Sequence, residues 1–258
     1  MKSIRIFAAA AGICIVLIAA ISIREEKTED VTITTGNPGF ALLELFTSEG
    51  CSSCPPADKL LEEIRENFQN QPVYILAFHV DYWNHLGWKD QFSKAEFTQR
   101  QRQYSRWLGV GSLYTPQLVI NGSKEFVGSD RKAVLEEVTA NLTTAKSNTL
   151  TLHCTIEGNK ALVTYEGVAR DERSELVLAL VQKAAQSNVK AGENSGRKLS
   201  HVQIVKSLEH VRIDPSQPVT LTLPPDFTTA DWELIGFVQQ KSDGHASMAG
   251  RFDFDSKR

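Results

Sequence analysis

The sequence lacks the cysteines of a disulfide framework. It holds four in 258 residues, Cys14, Cys51, Cys54 and Cys154, which is too few to staple a chain of this length. They divide into one close pair and two singles. Charge of one sign is also missing: the net charge of −3 gives no nucleic-acid and no membrane-surface signal. No internal repeat is visible. What is left is an ordinary globular composition, long enough for two domains.

One long apolar run is present, at the N-terminus. Lys2 and Arg5 precede Ile6 to Ile23, broken only by Gly12 and Ser22, and Arg24-Glu25-Glu26 follows. This is the layout of an export signal. The run sits at the edge between a long signal core and a short membrane helix. Ala20-Ile21-Ser22 is a poor cleavage site, so residues 1–23 are expected to be either a cleaved signal or an N-terminal membrane anchor. In both cases the body is exported to the periplasm or cell envelope, where disulfides persist. Ile13 stands where a lipoprotein cysteine has a small residue before it, so Cys14 reads as one more apolar residue. Residues 24–38 are polar, end in Gly36-Asn37-Pro38-Gly39 and read as a tether.

The chemistry centres on Gly50-Cys51-Ser52-Ser53-Cys54-Pro55-Pro56. The apolar run Phe40 to Phe46 leads into it as a buried strand. After it Leu60, Leu61, Ile64 and Phe68 recur at the period of one helix face, predicting a helix over about 55–69. A helix N-terminus favours thiolate over thiol, so this placement makes the pair reactive. Proline fits the first helical turn, whose N–H groups lack partners. Ser52 or Ser53 is therefore expected to cap the helix, with Cys51 just outside and exposed and Cys54 shielded.

Pro72 to Val80 reads as a strand covered on both faces, completing a βαβ unit. An aromatic-rich insertion follows between Asp81 and Tyr114. Within it Ser93 and Glu96 form a capping box, with Phe92 and Phe97 at the staple positions. Phe97, Gln101, Tyr104 and Leu108 trace one face, and Gly109 ends the helix. Tyr114-Thr115-Pro116 then leads to a strand at 117–120, a turn at Asn121-Gly122, a return strand at 124–127 and a helix from about Asp130 to Ala145. From Asn148 the pattern becomes short alternating strands, which predicts a β-sandwich. The expected class is α/β, with domains at 39–147 and 148–258.

Strand, Cys-x-x-Cys, helix, strand, then Thr-Pro before a β-hairpin and a last helix resembles the thioredoxin fold. That resemblance implies a cis proline packed against the dithiol, and Pro116, after Thr115, holds the position. More closely, Glu44 to Pro56 with His79-Val-Asp-Tyr-Trp83 and Tyr114-Thr-Pro116 is similar to the bacterial exported family catalogued as domain of unknown function 1223. Gly192-Glu-Asn194, Gly196-Arg197 and Leu199 also look like that family. The sequence departs from thioredoxin in having Gly50 rather than Trp before the first cysteine, the long insertion before Pro116, and Pro55 directly after the second cysteine.

The expected function is thiol–disulfide exchange: Cys51 attacks a disulfide and Cys54 resolves the mixed species. No charge lies between the cysteines, so direction is unread. The partner class is a protein or small-molecule disulfide or dithiol, with an unidentified redox partner and no cofactor. Three other readings stay open. The pair is a static bridge; or it binds metal with His79 or His85, although two thiols fall short of a ligand set; or the fold is a binding module without turnover. His79 reads as a core histidine. Asp81 is the better proton acceptor, with a solvated carboxylate as its plain alternative. Phe97, Tyr104 and Leu108 read as core, while Trp83 and Trp88 are left open between local core and a lid over the dithiol; Asp81, Trp83, His79 and Tyr114 are the candidate site lining. Cys154 falls inward on its strand and reads as an inert thiol. Asn194 and Arg197 read as a solvated turn, with an interface role implied only by the resemblance.

Overall fold

The structure is a computed structural model that describes residues 39–144 and 149–255. The export segment, the tether, Cys14 and the expected boundary at 147/148 lie outside the described residues.

Strand β1 (Ala41–Thr47) is buried along its whole length because it has a neighbour on each side. It runs parallel to β2 (Val73–His79) and antiparallel to β3 (Gln117–Ile120). Helix α1 (Pro55–Asn67) connects β1 to β2. It lays Ala57, Leu60, Leu61 and Ile64 on the sheet face formed by Leu43, Leu45, Ile75 and Ala77. The chain turns at Asn121 (φ 49°) and Gly122 (φ 64°) into β4 (Lys124–Val127). Positive φ at both residues is what the Asn-Gly pair supplies, but Ile120 pairs with Lys124, so Ser123 also belongs to the loop and the expected two-residue hairpin is corrected. Helix α3 (Arg131–Thr143) starts at Asp130, whose carboxylate accepts from the Ala133 N–H at 3.2 Å, and adds Val134 and Val138 to the same face.

Helix α2 (Ala95–Leu108) covers the opposite face. Phe97 and Tyr104 pack there on Phe46, Phe78 and Val119. The expected capping box does not form: the helix begins at Lys94, with no side-chain cap. The Ser93 hydroxyl is taken by local structure instead, donating to the Asp90 carbonyl at 2.8 Å and accepting from Asn84 at 2.9 Å.

The second half holds β5 (Thr151–Glu157), β6 (Lys160–Glu166), β7 (Ser174–Asn188), β8 (Lys198–Val211), β9 (Val219–Thr222), β10 (Trp232–Gln240) and β11 (Ala246–Asp253). The expectation of a separate sandwich at 148–258 is corrected here. Only β5, β6 and β9 form a small sheet, while the other four strands join the first half in one eight-stranded sheet, β11-β10-β7-β8-β2-β1-β3-β4. The join is a short parallel contact of β2 and β8, Ala77 opposite Ile204. The reason is shared burial. Val177, Ala179, Val205, Ile235 and Phe237 enter the same core as Phe46, Phe78, Phe97 and Tyr104, so neither half closes its apolar face alone. The small sheet packs on the outer end through Leu152, Val163 and Leu221 against Leu178, Leu180 and Leu234. The chain is thus mixed α/β, with a large mixed sheet and few helices.

An ion pair crosses this shared core. Arg100 donates from Nε to Glu44 Oε2 at 2.5 Å, and Glu44 also accepts from Tyr104, with all three side chains buried. The guanidinium lies over Phe78, Tyr104 and Phe237 at 5.1 to 5.5 Å. Burial opposes its charge, but Glu44 beside it holds the pKa of Arg100 above its ordinary value. Removing one partner of a buried pair strands the other charge. Arg100→Met is expected to lower stability by about 3–5 kcal/mol in urea unfolding, and adding Glu44→Leu is expected to recover part of that loss.

Candidate functional site

β1 passes into α1 through a tight turn. The Gly50 N–H donates to Ser48 Oγ at 3.1 Å, the Cys51 N–H to the Ser48 carbonyl at 3.1 Å, and the Cys54 N–H to the Cys51 carbonyl at 3.3 Å. Cys51 and Cys54 form a disulfide with their Cα atoms 5.4 Å apart. Cys54 is the N-cap of α1 and Pro55 and Pro56 are its first residues. Neither serine caps the helix, which corrects the expectation. The two prolines remove two of the amide donors that a cap would satisfy. Ser53 Oγ lies 3.3 Å from Cys51 Sγ and donates to the Thr115 carbonyl at 3.3 Å.

The Thr115–Pro116 peptide bond is cis, and it lies against the motif. Besides Ser53, Trp83 reaches it, donating from Nε1 to Thr115 Oγ1 at 2.8 Å. The Cβ of Trp83 would be 3.1 Å from a Cβ placed on Gly50, and that of Pro116 3.2 Å from one placed on Gly128. The Gly50 contact explains why a bulky residue does not precede Cys51 here. The second insertion tryptophan also faces the site, with Trp88 Nε1 donating to Glu49 Oε2 at 2.6 Å.

Both cysteines are 0% exposed. The expected contrast, Cys51 open and Cys54 shielded, is therefore corrected. The tip of the β7–β8 hairpin, from far along the chain, bonds to the backbone of the motif. Asn194 is fully buried and donates from Nδ2 to the carbonyls of Glu49 and Cys51, both at 2.9 Å. Glu193 accepts from the Ser52 N–H at 3.0 Å, and Arg197 donates to Asn194 Oδ1 at 2.8 Å.

The family described as "Protein of unknown function (DUF1223)" matches residues 42–239. The chain belongs to the DUF1223 family. It is also 32% identical to Thioredoxin of Methanocaldococcus jannaschii over 95 residues, 37% of this chain and 87% of that protein. The family is accordingly thioredoxin-like. Among solved structures, protein AGR_C_4864 from Agrobacterium tumefaciens has a TM-score of 0.65 at 27% identity, over 84% of this chain and 96% of that one. HBP35 of Porphyromonas gingivalis has a TM-score of 0.59 at 16% identity, over 87% of this chain and 78% of that one.

In this DUF1223 chain the remaining expected site residues divide. Tyr114 is half-buried, and its hydroxyl donates to Glu125. Desolvation and the Glu125 carboxylate both hold its pKa above the ordinary value. Asp81 accepts from Thr98 Oγ1 at 2.6 Å, which ties it to α2. His79 is a buried core residue, with Nδ1 2.6 Å from Asp90 Oδ2. Asp90 also accepts from the Glu49 N–H at 2.9 Å. Burial opposes its charge, yet His79 and two backbone N–H donors hold its pKa below the usual range. His85 contacts the Tyr82 carbonyl at 2.6 Å. Among the described residues no group of three or more His, Cys, Asp or Glu is arranged to hold a metal ion.

The residues missing from the sequence reading are Glu49, Asp58, Asp90 and His201. His201 is buried and lies between two carboxylates, Nε2 3.6 Å from Glu49 Oε1 and Nδ1 3.6 Å from Asp58 Oδ2. These distances exceed a hydrogen bond, so the contacts are ion pairs. The ring also meets His79 edge-on, with centroids 4.8 Å apart. The available signal was strand phase, since His201 is on the buried side of β8 with Leu199. Burial lowers the pKa of His201, but Asp58 and Glu49 outweigh it and push it up to about 10 from an ordinary 6.5. A raised folded pKa means the stabilisation is complete below about pH 6.5 and fades as pH rises towards 10. Urea midpoints measured from pH 6 to 10 should fall across that window in the native protein, with a shallower fall in His201→Gln.

Proposed function

We propose that this DUF1223 chain is an exported thiol–disulfide oxidoreductase of the cell envelope, working through Cys51 and Cys54. The single observation that carries the reading is the junction itself: a Cys51–Cys54 disulfide at the start of α1, bonded through Ser53 to the cis Thr115–Pro116 peptide. The order β2-β1-β3-β4 with α1 and α3 on one face supports a thioredoxin-like unit with α2 as its insertion. The identity to an archaeal thioredoxin points the same way. Export rests on the N-terminal pattern of Lys2, Arg5 and the apolar run after them. Among the described residues no helix is long and apolar enough to cross a membrane.

In the reduced form the Cys51 thiolate attacks one sulfur of a partner disulfide. A mixed disulfide forms, and the partner's other sulfur leaves as thiolate. The Cys54 thiolate then attacks Cys51 Sγ, closes the bridge and releases the partner's second thiolate. Two electrons have passed from the dithiol to the partner, and the reverse sequence oxidises a partner dithiol. A second redox partner restores the starting state. Thr115 and Pro116 flank the sulfurs, with Trp83 holding Thr115.

A second reading is a binding module with a static bridge. The specific observation in its favour is that neither cysteine is exposed. Equilibration of the purified chain with glutathione couples separates the two. A potential between about −270 and −120 mV, with exchange lost in Cys51→Ser, fits the oxidoreductase. A potential below about −300 mV fits the static bridge.

A further inference from the structure

We propose that the tip of the β7–β8 hairpin, residues 190–196, is a latch that gates the dithiol. Neither sulfur becomes open to a partner until this tip lifts. The proposal takes its purpose from the exchange reading above, but its test does not depend on that reading.

The latch has a fixed base and a tip that can hinge. At the base β7 and β8 stay paired out to Asn188 opposite Lys198, and Gln91 Nε2 donates to Ser187 Oγ at 2.6 Å. Cross-strand bonds continue to Val189, whose N–H donates to the Arg197 carbonyl at 2.9 Å and whose carbonyl accepts from the Gly196 N–H at 2.8 Å. Gly192 (φ 73°) and Gly196 (φ 80°) flank Glu193-Asn194-Ser195. Both glycines occupy the left-handed region, where rotation is open to them at least strain. Between them only Asn194 is buried, while Glu193 and Ser195 are exposed.

The contacts between tip and motif are polar and few. Asn194 Nδ2 bridges the carbonyls of Glu49 and Cys51, and the Glu193 carboxylate holds the Ser52 N–H. All three partners are backbone groups of the turn that carries the sulfurs. Water can replace such hydrogen bonds, so each adds little net stabilisation when broken and re-solvated. The tip therefore closes the site firmly enough to exclude solvent and weakly enough to release it. Its effect falls on rates in both directions of exchange.

The full chain, oxidised, is treated with a water-soluble phosphine, which takes up oxygen from water as it reduces the disulfide to two thiols. The second-order rate is followed for the native protein, Asn194→Asp, Glu193→Ala and Ser195→Ala. Asn194→Asp keeps the size of the side chain but sets a carboxylate against two carbonyl oxygens. It should react on the order of tenfold faster or more, and Glu193→Ala roughly two- to tenfold faster, from the loss of one or two hydrogen bonds. Ser195, whose hydroxyl donates to the Lys190 carbonyl, belongs to the same turn but not to the contact, so its variant should match the native rate. Urea unfolding of each variant separates gating from general loosening, and Glu193, being exposed, tests the latch even if Asn194→Asp fails to fold. Unchanged rates in Glu193→Ala, or acceleration shared by Ser195→Ala, overturn the latch. If the latch variants accelerate reduction while the couple lies below about −300 mV, the latch stands and the exchange reading fails.

Discussion

The site depends on what β8 joins together. Its residue Ile204 is paired with Ala77 of β2, which makes β8 part of the central sheet. Just before it Gln203 adopts φ 57°, a left-handed conformation that costs a residue with a Cβ roughly 1–2 kcal/mol. Glu233 holds the Gln203 side chain, which is buried. On the N-terminal side of this residue β8 packs against α1, and Arg197 to Ser200 share a notch with Pro55, Asp58 and Lys59. One strand thus carries the seam between the two halves of the chain and follows directly on the turn that bonds to the motif. His201 reaches the motif from β8 itself and Asn194 from the turn just before it.

That arrangement buries charge on purpose-built terms. Glu49 and Asp58 bracket the two cysteines in sequence, and taking two carboxylates out of water is costly without a counter-charge. His201 supplies it, brought from a strand far along the chain. Trp88 and the Asp90–His79 pair satisfy the rest of the Glu49 surroundings. The turn that carries the sulfurs is thereby held by electrostatic partners on three separate segments: the insertion, β2 and β8. A change in any of them reaches the motif through Glu49.

How much of this was legible follows from where each interaction lies along the chain. The strand 41–47, helix 55–67 and hairpin 117–127 were readable because their signals are local: an apolar run, one helical face, an Asn-Gly turn. Local signals misled where a partner came from elsewhere or a donor was missing. Ser93 looked like a cap but is consumed by Asp90 and Asn84. Ser52 and Ser53 looked like caps, yet Pro55 and Pro56 leave little to cap. The bond from Asn194 to the Cys51 carbonyl was unreadable, since it comes from across the fold. The sharing of one sheet by both halves was hidden for the same reason: alternation tells which side of a strand is buried, not which strand lies beside it. β11 gave no clean alternation at all and was not foreseen.

An exchanging dithiol and a static bridge make opposite demands on the segment above them. A static bridge is served best by apolar packing of the kind seen around Phe46 and Phe78, where opening would expose large aromatic surface to water. The cover over Cys51 and Cys54 is of another kind. It is a short turn between two glycines in left-handed conformation, with exposed residues on either side of Asn194 and hydrogen bonds that water can take over. The paired stem below it keeps buried Val189 bonded to Arg197 and is anchored by Gln91 and Ser187. Burial of the sulfurs is therefore compatible with the exchange proposed for them, because the turn beside the motif is bonded to it by polar contacts.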